Sequence, residues 1–199
     1  MNTSVAFVAQ VSAILMGFFT RVVFTRMLSE GYVGINGLFT DILNILSLSE
    51  LGVGTAITYA LYAPIAKGDI KKQQILMRMF RTFYRMTALF VMGAGLCLIP
   101  FLDILMKDRP DVDHLVLIYC LYLLNSVVSY LLIYKKTLID AHQMNYITVL
   151  YHNGFLVLQD ICQIIILITT KNFVLFLSVA VVCTIKGNVC MSRKADALF

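Results

Sequence analysis

Residues 162–183, CQIIILITTKNFVLFLSVAVVC, hold two apolar runs separated only by the polar TTKN of 169–172. Neither run alternates apolar with polar residues, as a strand of a membrane barrel would over about ten residues. Each belongs to a stretch near the roughly 20 residues that a helix needs to cross the hydrocarbon of a bilayer. Outward from here the pattern recurs along almost the whole chain, and it predicts helices near residues 5–27, 34–63, 83–106, 114–134, 146–169 and 172–191. The expected fold class is an all-α integral membrane protein, a single bundle of about six transmembrane helices filling residues 1–199.

Composition points the same way. Hydrophobic residues make up 60% and charged residues 14%, with mean hydropathy +0.85, whereas a soluble domain has about 45–50% apolar and about 25% charged residues. A water-soluble fold of 199 residues has no interior large enough to hide that surface. The net charge of +5 restates basic loops and gives no reason to expect a nucleic-acid partner. The five cysteines stand singly inside predicted spans, without CxxC or Cys/His ligand spacing, so neither a disulfide framework nor a zinc site is expected. No basic region precedes the first apolar run and no small-residue cleavage site follows it, which makes that run a permanent first helix.

Basic residues are retained on the cytoplasmic side of a membrane. The connection after the second span carries Lys67, Lys71, Lys72, Arg78, Arg81 and Arg85 and is therefore the expected cytoplasmic loop. Lys135, Lys136, Arg193 and Lys194 then fall on the same side, and Lys107, Arg109 and Lys171, diluted by Asp108, Asp111 and Asp113, fall opposite. Both termini are expected inside, although the opening MNTS carries no basic residue. Within the basic loop, IKKQQILMRMFRTFYRM at 70–86 reads as an interfacial helix with Ile75, Met79 and Tyr84 on one side. Its cations snorkel to anionic headgroups or dock a partner.

If the second span is one helix, Asn36, Thr40, Asn44, Ser47, Thr58 and Tyr62 form one polar stripe with Glu50 on its edge. Such a stripe faces protein or water. Interhelical hydrogen bonding explains Ser47, Thr55 and Thr58. Glu50 is the stronger functional candidate, because a carboxylate near mid-membrane costs about 2.5–3.5 kcal/mol; it faces a polar cavity or an ion, or pairs structurally. In the first span Arg21 and Arg26 are five residues apart, about 7.5 Å of rise and about 140° of rotation, and cannot share one narrow face. Either both rim a wide cavity, or Arg21 points inward and Arg26 snorkels. A planar guanidinium suits phosphate; the alternative is charge neutralisation by Asp41 or Glu50.

Asp160, between Gln159 and Gln163, and Lys186 can pair with each other or reach an interface; Glu50, Asp41 and Asp160 are the candidates for ion or proton coupling. His114, His142 and His152 lack metal-ligand spacing, with His114 and His142 read as interfacial. Asp111-Val112-Asp113 matches the DxD of metal-dependent glycosyltransferases only by a three-residue coincidence in a short external loop. There is no Gly-rich phosphate loop, nucleophile elbow or HExxH, so no enzyme, metal or cofactor is expected.

The run FFTRVVFTRMLSEGYVGINGLFTDILNILSLSELGVGTAITYALYAPIAKGD, 18–69, resembles the opening helices of polysaccharide and oligosaccharide flippases. These are the Wzx-like transporters of the multidrug/oligosaccharidyl-lipid/polysaccharide exporter superfamily. The resemblance lies in the Arg-bearing end of the first helix, then YVGINGLF, LSLSELGVGTAI and YAPIAKGD in that order; NFVLFL and KGNVCMSRKAD extend it more loosely through the sixth span. It implies transfer of undecaprenyl-pyrophosphate-linked oligosaccharide across the bacterial cytoplasmic membrane. It also implies Arg21 and Arg26 as pyrophosphate ligands with Glu50 as the acidic position; Asn44 and Ser47, from the polar stripe of the second span, join them as candidate substrate-binding residues. Membrane lipids and the lipid-linked oligosaccharide are the implied partners. Transporters of this kind have twelve to fourteen helices in two bundles, so this chain resembles the first bundle, and a separately encoded second half or self-association is expected. The other readings are a multidrug exporter of the same superfamily, against which the basic first helix argues, a membrane-embedded transferase, and a non-transporting membrane scaffold.

Overall fold

The computed structural model describes residues 2–47, 53–106 and 112–198. Every regular element among them is helical: α1 (Asn2–Met27), α2 (Glu30–Ser47), α3 (Val53–Ala66), α4 (Ile70–Leu98), the short α5 (Leu102–Leu105), α6 (Leu115–Leu131), α7 (Ile133–Ala141), α8 (Asn145–Thr170) and α9 (Phe173–Leu198). Four helices are long and apolar enough to cross a membrane, and a fifth is counted if α6 and α7, bent by 40° at Leu132, are one span. Large apolar residues stand exposed along their outer faces, including Phe7, Phe18, Met86, Leu89, Ile165 and Ile168. Such exposed apolar surface is compatible with a multi-pass membrane protein.

Local chemistry sets the breaks. α3 ends at Gly68, whose φ of +66° only glycine adopts without strain, and the Asp69 amide closes on the Pro64 carbonyl at 2.9 Å. Asp69 then caps α4, its Oδ1 accepting from the Lys72 amide at 3.0 Å. The TTKN punctuation becomes the α8–α9 turn: Lys171 takes a left-handed conformation, and Asn172 Oδ1 accepts from the amides of Val174 (2.9 Å) and Leu175 (3.2 Å) to start α9. Pro100, which has no amide hydrogen to donate, lies in a single 3-10 turn that ends α4.

Two expectations change here. The second span is described as two helices, α2 and α3, on either side of 48–52, which lie outside the described residues and include Glu50. The basic segment and the third span are one continuous helix, α4, which starts at Ile70. Because every residue of that helix turns by about 100°, Tyr84 cannot share a side with Ile75 and Met79. Tyr84 is buried with Phe80, Thr87, Ala88 and Val91, while Ile75 and Met79 are exposed.

Contacts fix the helix directions. Asn153 Nδ2 donates to Gln10 Oε1 at 2.9 Å, and further along both helices Gly17 lies beside Asp160, so α1 and α8 run parallel. Gln163 Nε2 donates to the Phe176 carbonyl at 3.1 Å while Gly187 receives the Phe155 ring, so α8 and α9 are antiparallel. Tyr122 meets Phe173, and Asn188 Nδ2 donates to the Val128 carbonyl at 3.0 Å, so α6 and α9 are parallel. One end of the bundle is an aromatic cluster of Phe24, Tyr32, Phe39, Tyr119, Tyr122, Phe173 and Phe176, whose edge contacts include Phe39 on Tyr119 at 5.1 Å and 72°. Each well-placed aromatic pair adds about 0.5–1.5 kcal/mol beyond burial. The opposite end joins α7 to the close of α9 through Lys135 and Asp196, 2.6 Å apart, and brings Gln73 Nε2 to the Pro64 carbonyl at 3.2 Å. Thus α2 begins at the aromatic end and α3 finishes at the other.

The parallel pairing of α1 and α8 gives the first prediction. In a background lacking the native cysteines, Gln10→Cys with Asn153→Cys should form an oxidant-induced disulfide. Gln10→Cys with Thr169→Cys, about 24 Å further along α8, should not. Efficient cross-linking of the second pair instead of the first would reverse the helix direction.

Candidate functional site

α1 packs almost entirely through α8. Its contact side carries the small or short residues Ala13, Gly17 and Thr20, a pattern that lets membrane helices approach closely. Ala13 and Thr20 are buried, whereas Arg21 and Arg26 are exposed. The Arg21 Cζ lies 5.5 Å from the centre of the Phe24 ring, a cation–π contact, and the guanidinium is within electrostatic reach of Tyr122 on α6. Among the described residues neither arginine has a carboxylate within 4 Å, so charge neutralisation by Asp41 is not the arrangement found. Asp41 itself is exposed on α2.

The polar stripe of α2 divides. Asn36 turns inward, where its Oδ1 accepts a short hydrogen bond from the Tyr122 hydroxyl. Thr40, Asp41 and Asn44 stand exposed on the side away from the buried Ile35, Phe39, Ile42 and Leu43. The hydroxyls of Thr40, Ser47 and Thr58 bond to carbonyls of their own helices, Asn36, Asn44 and Gly54, at 2.6, 2.7 and 3.0 Å. Interhelical bonding therefore does not account for Ser47 and Thr58; back-bonding within the turn does. Tyr62 is exposed on α3 and stacks edge-on with Tyr59.

The three polar neighbours on α8 go three ways. Asp160 faces α1 beside Gly17 and Thr20, Gln163 is buried against α9, and Gln159 lines a cleft. Lys186 lies on the other side of the α8–α9 contact, in an apolar groove with Leu158, Cys162 and Val182. Asp160 and Lys186 accordingly do not pair: Asp160 faces α1, whereas Lys186 lines the groove on the side of α8 that carries Leu158 and Cys162.

The cleft, about 260 Å³, lies where α6 bends into α7 and is walled by α8 and α9. Asn125, Ser129, Lys136, His152, Gln159 and Asn188 supply its polar lining; Tyr151, Phe155 and Leu156 supply apolar surface. On α6 the spacing Tyr122, Asn125, Ser129 sets these residues on one face. A polar lane thus leads from the Tyr122–Asn36 pair, beside Arg21, to Lys136 about 21 Å away along the helix path. Sequence reading passes over this lane, although Asn125 and Ser129, one turn apart in an otherwise apolar span, carry the signal. Lys136 is legible there only as a topology mark. Among the described residues no group of three or more metal-ligating side chains comes together, and Asp111 and Glu50 lie outside them.

No protein-family model, curated protein or solved structure matches this chain.

Proposed function

We propose that this chain is one six-span helical bundle of a transporter that moves a polyprenyl-pyrophosphate-linked oligosaccharide across the bacterial cytoplasmic membrane, with both termini cytoplasmic. The observation that carries the reading is Arg21, exposed at the head of the polar lane with no carboxylate within 4 Å among the described residues. A guanidinium left facing hydrocarbon costs at least a few kcal/mol, so the exposed Arg21 of α1 and the exposed Thr40, Asp41 and Asn44 of α2 are polar groups to be covered or wetted. A second bundle, separately encoded or a second copy, covers it and completes a cavity whose planar fork binds phosphate. Arg26, at the end of α1, sits at the mouth of that cavity. Asn44 and Ser47 line its α2 wall, and Glu50, Asp41 and Asp160 are the acidic groups available for coupling. The α2–α3 pair, which starts at one end of the bundle and finishes at the other, supplies the span that neither helix makes alone.

The direct test is movement of a fluorescent lipid-linked oligosaccharide between leaflets of vesicles holding the chain, with and without a candidate second bundle. Movement that needs both supports the reading; robust movement by purified monomers of the chain alone refutes the half-transporter. Orientation is tested separately. With Lys72→Cys and Asp111→Cys as single cysteines in intact cells, an impermeant thiol reagent should label only position 111. Labelling at 72 would turn the topology over.

A further inference from the structure

We infer that the cleft at the α6–α7 bend is a binding site for a sugar phosphate head group, with Lys136 and His152 facing the phosphate and Asn125 and Gln159 the sugar hydroxyls. Four observations carry this. The cleft is built from four helices and holds about 260 Å³, room for roughly eight or nine waters at about 30 Å³ each. That is at the lower edge of the size at which ligand pockets begin, and so suits a head group and not a whole oligosaccharide. Its lining joins amides and hydroxyls to the aromatic surfaces of Tyr151 and Phe155, the mixture that hydroxyl-rich rings require because they present polar edges and apolar faces.

Asn125 Oδ1 is buried with no hydrogen-bond partner, and a buried acceptor left unmade costs about 1–3 kcal/mol. The amide carries an acceptor oxygen and an NH2 donor group, both complementary to a sugar hydroxyl. Lys136 and His152 both line the cleft and lie within electrostatic reach of each other, and Lys136 has no carboxylate within 4 Å among the described residues. Asp140, one turn beyond Lys136 and within electrostatic reach of it, turns toward Thr148 on α8 and does not line the cleft. Ser129 and His152 line the cleft and are exposed, so the cleft opens to the surface at these two residues.

The inference deepens the transport reading by giving the lane a second station at the Lys136 end, and it rests on that reading only for the source of the phosphate. The test uses the full chain in detergent. Since the sequence contains no tryptophan, Leu156→Trp in the cleft wall is a sole reporter, and its emission is followed during titration. Glucose 1-phosphate should bind saturably and at least tenfold more tightly than glucose or inorganic phosphate. Lys136→Gln should weaken it at least tenfold and Lys136→Arg by less than threefold. Asn125→Leu should remove most of the advantage over inorganic phosphate. Failure of glucose 1-phosphate to saturate, as in a cleft holding water only, overturns the site, as does equal binding by Lys136→Gln.

If Leu156→Trp or Lys136→Gln does not fold, protection of Ser129→Cys from a thiol reagent by glucose 1-phosphate replaces the emission signal, with Lys136→Arg as the partner variant; no protection is the overturning result. A tenfold gain for an alkyl phosphoglucose assigns the site to a lipid head group, and no gain assigns it to a free sugar phosphate. Saturable, Lys136-dependent binding in a chain that moves no lipid keeps the site and removes the transport reading. Transport at the wild-type rate in Lys136→Gln, without saturable binding, removes the site and keeps transport.

Discussion

On the proposed transport reading, Arg21→Ala should lower lipid-linked oligosaccharide movement by the assembled protein about a hundredfold at unchanged membrane abundance. A bidentate guanidinium–phosphate contact makes two charge-assisted hydrogen bonds, each about 1.5–3 kcal/mol, and a loss of about 3 kcal/mol at the rate-limiting step is roughly a hundredfold in rate. Arg21→Lys keeps the charge and loses the planar fork, so it should recover only part, to about a tenfold deficit. Abundance should hold because Arg21 is exposed and lies over the face of Phe24, which is already buried against Phe173 and Phe176. Transport by Arg21→Ala at the wild-type rate, with normal abundance, would reject the phosphate role. Loss of the protein from the membrane would make Arg21 a structural residue.

What the sequence could reveal was set by how local each feature is. The apolar stretches of α1, α8 and α9 depend on neighbours within a turn, and all three form helices near the expected bounds, although α9 runs on to Leu198; the cap at Asn172 and the stop at Gly68 are equally local but are not among the expectations. Partner choice does not. Gln159, Asp160 and Gln163 form one polar cluster in the sequence, yet a rotation of about 100° per residue sends them to a cleft, to α1 and to α9. Asn36 and Tyr122 are 86 positions apart, and nothing near either one announces the bond between them. The same geometry separates Tyr84 from Ile75 and Met79 and leaves Lys186 on a face that Asp160 cannot reach. The site is therefore partly legible: Arg21 stands out as a charge in an apolar span, whereas Lys136 gains its significance only when α7 bends it into the cleft.

Gly95→Val should greatly reduce the amount of folded protein, while Gly93→Val, two residues earlier on the same helix, should be close to neutral. The two substitutions change helix propensity alike, so their difference isolates packing. A Cβ at Gly93 meets nothing within 4 Å; one at Gly95 would run into Leu123 Cδ1 and lie 2.9 Å from its Cδ2, closer than real Cβ atoms come, with Cγ crowded at 3.2 Å. Leu123 is itself buried in the core, and overpacking of this kind costs about 1–3 kcal/mol. The Tyr119 hydroxyl donates to the Gly95 carbonyl at 2.9 Å, and Tyr119 is fully buried. Pushing α4 away therefore also strands a buried hydroxyl, at a further cost of about 1–3 kcal/mol. Gly95→Ala should be intermediate, because a new rotamer of Leu123 can relieve a single methyl but not a branched side chain. Tyr119→Phe should lose only the hydrogen-bond part. The measurement is monodisperse yield and thermal inactivation in detergent, which should rank the variants Gly93→Val, Tyr119→Phe, Gly95→Ala and Gly95→Val from most to least stable. If Gly95→Val survives heating as well as Gly93→Val, α4 and α6 do not approach each other through this glycine, and the close α4–α6 contact at Leu123 and Tyr119 is wrong.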